Sequence, residues 1–158
     1  FVVGRNAARA PHLLRAMQQQ GCEIGNHSWS HADVRRLTRK EMVDEIRRTE
    51  EVVREATGCG RVPFRSPWGA FPAQLLWHLY RTGRLPLVLW SACPGNEDRM
   101  SSDEIVASLR EKSLESGEIL LLHDDSTATA AALPRILDLI AERNLIPVTL
   151  SALQRDSP

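Results

Sequence analysis

His27-Ser28-Trp29-Ser30-His31 places two imidazoles four residues apart. On a helical turn, residues i and i+4 share one face, and two imidazoles on one face can grip a single metal ion. A metal held by few protein ligands keeps a position open for water and substrate, which is the arrangement hydrolysis needs. A third histidine, His123, follows the apolar run Ile119-Leu120-Leu121-Leu122. An imidazole there offers a general acid or base for neutral solution. Arg65, in Arg65-Ser66-Pro67-Trp68-Gly69, offers a fixed positive charge that can orient a carboxylate. Each residue also has a structural reading. His27 and His31 could be surface histidines, Arg65 a surface arginine before a turn, Trp68 a packing residue and His123 a satisfied histidine at a strand end.

These groups stand where strands should end. Phe1-Val2-Val3-Gly4 and Cys22 to Gly25 read as short strands, the second running into the histidine pair. Between them Pro11 suits a first helical position, Leu13, Leu14 and Met17 form an apolar stripe, and Gly21 suits a stop. Thr38-x-x-Glu41 and Ser101-x-x-Glu104 are capping boxes that open helices. The first of these carries Met42, Ile46, Val53 and Ala56 and ends at Gly58; the second carries Ile105, Val106 and Leu109 and ends at Gly117. Arg61 to Arg65 reads as a strand. Pro72 opens a helix with Leu75, Leu76, Leu79 and Tyr80 inward, closed by Gly83. Leu85 to Trp90 and Ile119 to Leu122 are almost wholly apolar, as strands buried on both faces are. A last helix is expected from about Ala130 to Arg143, with Leu133, Ile136, Leu137 and Ile140 inward, before a closing strand from Ile146 to Leu150. The alternation of roughly six strands with helices predicts an α/β fold with parallel strands and right-handed crossovers. In such a fold, strand ends on one side converge.

Bulk properties narrow the partners. The 158 residues suit one domain, and 42% apolar with 25% charged residues suits a packed core. Lys plus Arg and Asp plus Glu number 20 each, so no basic excess points to nucleic acid or a membrane surface. No apolar stretch approaches the roughly 20 residues that span a bilayer. Cys22, Cys59 and Cys93 form neither a zinc knuckle nor a complete disulfide framework. The chain opens with Phe1 inside an expected strand, which reads as the later part of something longer.

Together the three stretches resemble the polysaccharide deacetylase family, also called the NodB homology domain or carbohydrate esterase family 4. His27-Ser28-Trp29-Ser30-His31 is similar to its H-S/T-x-x-H metal motif, Arg65-Ser66-Pro67-Trp68-Gly69 to its R-x-P-Y/W-G motif, and Leu121-Leu122-His123 to its L-x-H motif. Ala132-Leu133-Pro134-Arg135-Ile136-Leu137 and Val148-Thr149-Leu150-Ser151 look like its last helix and strand. The resemblance covers residues 1–158 and implies a distorted (β/α)7 barrel, here without its first strand and helix. It implies a divalent metal, zinc in the first place with cobalt or nickel as alternatives, held by an Asp and by His27 and His31. His123 would protonate the leaving amine and Arg65 would orient the catalytic base. The Trp68 N–H would help hold the oxyanion, Leu121 would line the acetyl pocket, and Pro67 and Trp90 would bind substrate. The substrate would be an acetylated carbohydrate, with N- or O-acetyl groups removed from chitooligosaccharide or a peptidoglycan amino sugar. The site of action would be outside the cytoplasm or at the cell envelope.

Two departures qualify the resemblance. The family's T-F-D-D-G motif, which supplies the metal-binding Asp and the base Asp, does not occur in this sequence, so these residues alone are expected to be inactive. Family members also carry an Asp, the tether of the catalytic histidine, about where Cys93 stands, and a Trp about where Glu97 stands. Glu97 or Asp98 is then a candidate to replace the tether from a different position. An inactive deacetylase-like domain that binds glycan is the alternative.

Overall fold

The computed structural model describes residues 1–83 and 87–155. Part of the expected strand from Leu85 to Trp90, namely Leu85 and Pro86, lies outside them. The chain divides into two compact units, Phe1–Leu89 and the part from Trp90 onward.

In the first unit, helices α1 (Gly4–Arg9), α2 (Pro11–Gln19), α3 (Arg39–Thr57) and α4 (Ala73–Arg81) surround very short parallel pairings. Val2 pairs with Asn26, Asn26 with Phe64, and Phe64 with Leu87, all parallel and each a single bridge. The slanted bonds of a parallel ladder are present around them: Val2 N–H to Gly25 O at 2.8 Å, His27 N–H to Val2 O at 2.9 Å, and Arg65 N–H to Asn26 O at 2.9 Å. The expected strands thus pair in parallel and in chain order, but each is reduced to one bridge. The chain leaves the pairing almost at once on either side, and at Gly4 it is already helical.

Local signals place the helices well. At α3, the Thr38 hydroxyl accepts from the Glu41 N–H while the Glu41 carboxylate accepts from the Thr38 N–H. Gly58 closes α3 at φ 71°, where a residue without Cβ carries no steric penalty. Met42, Ile46, Val34, Phe64, Leu75 and Leu79 form one core, and Ala7, Leu14, Ile24, Val53 and Val62 a second. Full burial of each large apolar side chain contributes about 1.5–3 kcal/mol. Leu76 and Tyr80, expected inward on α4, are exposed, as are Leu13 and Met17 on α2.

Gly4 allows α1 to start against α3. A Cβ there would lie 2.2 Å from Thr49 Oγ1 and 2.8 Å from Trp29 Cε3. Both neighbours belong to packed elements, so Gly4→Ala should destabilise the fold by about 2 kcal/mol and lower the melting temperature by about 5 °C. An unchanged calorimetric melt would refute that close packing.

The second unit holds α5 (Ser102–Glu111), α6 (Thr127–Glu142) and α7 (Leu150–Arg155). Its bridge is Ala92 with Leu120, again parallel. The Ser101/Glu104 capping box opens α5 as expected. Helix α5 ends at Glu111, well before Gly117, which instead turns at φ 90° in the following loop. Ile105, Val106, Leu109, Ala132, Ile136 and Leu139 form its core. Leu133 and Leu137 face outward and Leu139 inward, so the apolar face of α6 is rotated from the expected one. The expected closing strand does not form among the described residues. Ile146 is 82% exposed, and Leu150 begins α7.

Candidate functional site

The histidine pair does not lie on a helix. Residues 27–31 form a loop in which Ser28 and His31 take φ of 63° and 62°. This left-handed pair turns the chain so that the two rings meet edge to face, with centroids 4.9 Å apart. The proximity expected from an i, i+4 helical turn is present, but by a different backbone.

Several groups hold that loop. The first two N–H groups of α1, Gly4 and Arg5, donate to Ser28 O at 2.9 Å and Trp29 O at 3.0 Å, which satisfies donors that a helix start leaves unpaired. Asn26 is buried; its Oδ1 accepts from the Ser28 N–H at 2.9 Å, and its Nδ2 donates to Ile46 O at 2.8 Å. The Ser28 hydroxyl accepts from the His31 N–H at 3.1 Å. Glu45 on α3 takes both the N–H and the hydroxyl of Ser30, at 2.8 and 2.9 Å. The Arg48 guanidinium lies 3.9 Å from the Trp29 ring centroid.

His27 Nδ1 lies 2.8 Å from the Arg65 carbonyl oxygen. A carbonyl can only accept, so Nδ1 carries the hydrogen and Nε2 keeps its lone pair free. Burial is the main cause that lowers the His27 pKa from 6.5 to about 4, with the neighbouring His31 acting in the same direction. His27 is therefore a neutral imidazole near pH 7, oriented through its far nitrogen as metal-binding histidines are. The His27 and His31 rings fit two positions of a divalent metal site of nitrogen and oxygen donors. Among the described residues no group of three His, Cys, Asp or Glu side chains is assembled for a metal.

Arg65 is 8% exposed. Its Nε and NH2 donate to Val88 O at 3.2 Å and Leu89 O at 3.0 Å, and its guanidinium carbon sits 4.2 Å from the Phe1 ring centroid. Desolvation lowers its pKa from the ordinary arginine value. Pro67 is buried, and the next residue, Trp68, takes φ 61° with its side chain out in solvent at 68% exposure. The Trp68 ring meets His31 edge to face at 5.2 Å. Ser28, His31 and Trp68 are three of the four non-glycine residues with positive φ among the described residues, the fourth being Asn144. Such backbone costs about 1 kcal/mol or more at each position and persists where the surroundings impose it. In this unit the strain is concentrated at the histidine pair and the tryptophan beside it.

The second unit carries its own constellation. His123, with a side chain 54% exposed, has Nδ1 3.0 Å from Glu97 Oε1. Glu97 is buried in a short 3-10 turn, Glu97–Arg99. Its other oxygen, Oε2, accepts from the His123 N–H at 3.1 Å and from the Thr129 hydroxyl at 2.6 Å. Cys93 is a free, half-buried thiol, and Asp98 is exposed. Leu121 and Trp90 are half-buried. Sequence reasoning missed Asn26, Glu45 and Thr129, whose polar side chains carry no local signature; their roles come from partners distant in the chain.

Residues 1–85 match the family model for polysaccharide deacetylase. This chain belongs to the polysaccharide deacetylase family. Along 154 residues it is 27% identical to the peptidoglycan-N-acetylmuramic acid deacetylase PdaC of Bacillus subtilis, covering 98% of this chain and 32% of that protein. It is 31% identical to a chitooligosaccharide deacetylase of Sinorhizobium fredii, covering 92% of this chain and 74% of the other. Among solved structures, PdaC superposes with a TM-score of 0.89 at 27% identity over 98% of this chain and 74% of that one. The family 4 carbohydrate esterase of Streptomyces lividans, solved with acetate, superposes with a TM-score of 0.80 at 32% identity over 90% of this chain and 72% of the other. The α/β fold of the polysaccharide deacetylase type, expected from the sequence, is the fold of this chain. The chain spans about a third of the length of the peptidoglycan deacetylases it matches.

Proposed function

We propose that this chain carries the metal-binding and proton-donating parts of a hydrolase that removes N-acetyl or O-acetyl groups from a carbohydrate. An amino sugar of peptidoglycan or a chitooligosaccharide is the favoured substrate, and the favoured place of action is outside the cytoplasm. The observation that carries this reading is the pair His27 and His31, held ring to ring on a strained, multiply pinned loop with His27 neutral and its Nε2 available.

A divalent metal held there, zinc by the family's habit, would polarise the acetyl carbonyl and make water a nucleophile near neutral pH. His27 and His31 would be two of its protein ligands. The family's further ligand and its base come from a T-F-D-D-G motif that this sequence does not contain, so the reading requires those two carboxylates in addition. Trp68 would offer its N–H to the carbonyl oxygen as negative charge builds there; among the described residues that N–H has no acceptor. Arg65, clamped by two backbone carbonyls, would present a fixed positive charge to orient the base carboxylate. His123 would give a proton to the leaving nitrogen or oxygen. Pro67, Leu121 and Trp90 would contact the sugar and its acetyl methyl.

The test is acetate release from N-acetylglucosamine oligomers and from peptidoglycan by the zinc-loaded protein that carries this chain. His123→Ala should lower kcat by about 10²- to 10⁴-fold and leave zinc binding intact. No acetate from either glycan, with binding to one of them retained, would replace this reading by a glycan-binding domain.

A further inference from the structure

By the resemblance to the family, Glu97 stands about where a Trp is expected, and Cys93 about where the carboxylate that tethers the histidine is expected. A thiol is a weak hydrogen-bond partner and carries no charge unless its surroundings make it a thiolate. The fold nonetheless gives His123 a carboxylate. Three donors converge on Glu97: the His123 ring through Nδ1, the His123 N–H and the Thr129 hydroxyl. We infer that the tether has moved along the chain from position 93 to Glu97, and that Glu97, locked in place by Thr129 on α6, is the positioning residue for His123. The inference rests on the reading of His123 as the proton donor.

The geometry has a specific chemical consequence. The Oε2 of Glu97 is committed to two donors, both fixed by the fold. Oε1 is left to accept from His123 Nδ1, so the ring hydrogen sits on Nδ1 in the neutral form and Nε2 carries the lone pair. Nε2 is then the atom that carries a proton to the leaving group and is left with a lone pair afterward. One carboxylate fixes both the backbone and the ring of His123, which is otherwise half in solvent. Asp98, the other candidate, is exposed and forms no part of this cluster.

Glu97→Gln tests this with almost no change of shape. The amide oxygen must stay toward the His123 N–H, which can only donate, and the Thr129 hydroxyl can go on donating to the same oxygen. Its NH2 group then faces Nδ1, which can pair with it only as an acceptor. The ring hydrogen is forced to Nε2. The same kind of exchange in a serine-protease triad lowers kcat about 10⁴-fold through the wrong tautomer.

The experiment is long-range proton–nitrogen NMR of the histidine rings in the full protein, with His123 assigned by its loss in His123→Ala, alongside kinetics on an acetylated chito-oligomer. Wild type should show His123 as the Nδ1–H tautomer at neutral pH, and Glu97→Gln as Nε2–H. The variant's kcat should fall by about 10²- to 10⁴-fold with KM little changed. Thr129→Val keeps the volume but removes one donor; it should loosen the tether and lower kcat about tenfold or more. It serves as the independent variant if Glu97→Gln folds poorly. An Nε2–H tautomer in wild type, or the same tautomer and turnover in wild type, Glu97→Gln and Thr129→Val, would overturn the inference. The expected tautomer exchange in a protein that releases no acetate would uphold the pairing and remove the deacetylase reading instead.

Discussion

Replacing His27 and His31 together by Ala should abolish stoichiometric zinc binding, and with it all acetate release, in the protein that carries this chain. The two rings stand 4.9 Å apart, and the His27 hydrogen is committed to the Arg65 carbonyl oxygen. A neutral imidazole is the form that binds metal, and burial keeps His27 in that form down to a pH of about 4. Each single replacement should weaken affinity by more than the roughly 10- to 100-fold typical of a lost outer-shell partner, because a ligand itself is removed. Isothermal titration calorimetry at neutral pH reads the result directly. A double variant that still takes up one zinc with the wild-type heat and affinity would show that the metal, if one is used, lies elsewhere.

The second large effect is expected at Asn26, a residue that touches no substrate in the proposed reaction. Its side chain is 1% exposed and bridges the Ser28 N–H to the Ile46 carbonyl of α3. Asn26→Ala removes both hydrogen bonds and leaves the Ser28 N–H buried without its acceptor. The expected loss is about 3 kcal/mol of folding stability, read from a shift of the urea midpoint at constant slope. Asn26→Asp should do no better, since a carboxylate oxygen would then face the Ile46 carbonyl with no hydrogen between them. Because Ser28 in turn accepts from the His31 N–H, zinc affinity should fall together with stability. A variant within about 0.5 kcal/mol of wild type would remove Asn26 from the supports of the loop.

What the sequence alone determined is local. Thr38/Glu41 and Ser101/Glu104 are capping boxes in the structure because both partners lie within one turn of each other. Gly58 ends α3 because the left-handed position is nearly free only for glycine. Ile105, Val106 and Leu109 are buried as their spacing requires. The three family stretches were legible for the same reason: each is a short run of residues whose types are read together.

Tertiary structure decided everything whose partner is far along the chain. Histidines four apart suggested a helical turn, yet α1 and Asn26 impose a loop with two left-handed residues. The apolar run Ile146 to Leu150 had the composition of a strand, but a strand exists only through a neighbour's backbone; Ile146, Pro147 and Val148 lie exposed and Leu150 already begins α7. On α6 a shift of the buried face brings Leu139 in and turns Leu133 and Leu137 out, because α5 selects the face it packs against. Glu97 could be singled out only as one of two carboxylates near a missing tether. Its selection over Asp98 depends on His123, 26 residues later, and Thr129, 32 residues later. A hydrogen bond needs its atoms within about 3 Å, and distance in the sequence carries no information about that until the chain has folded.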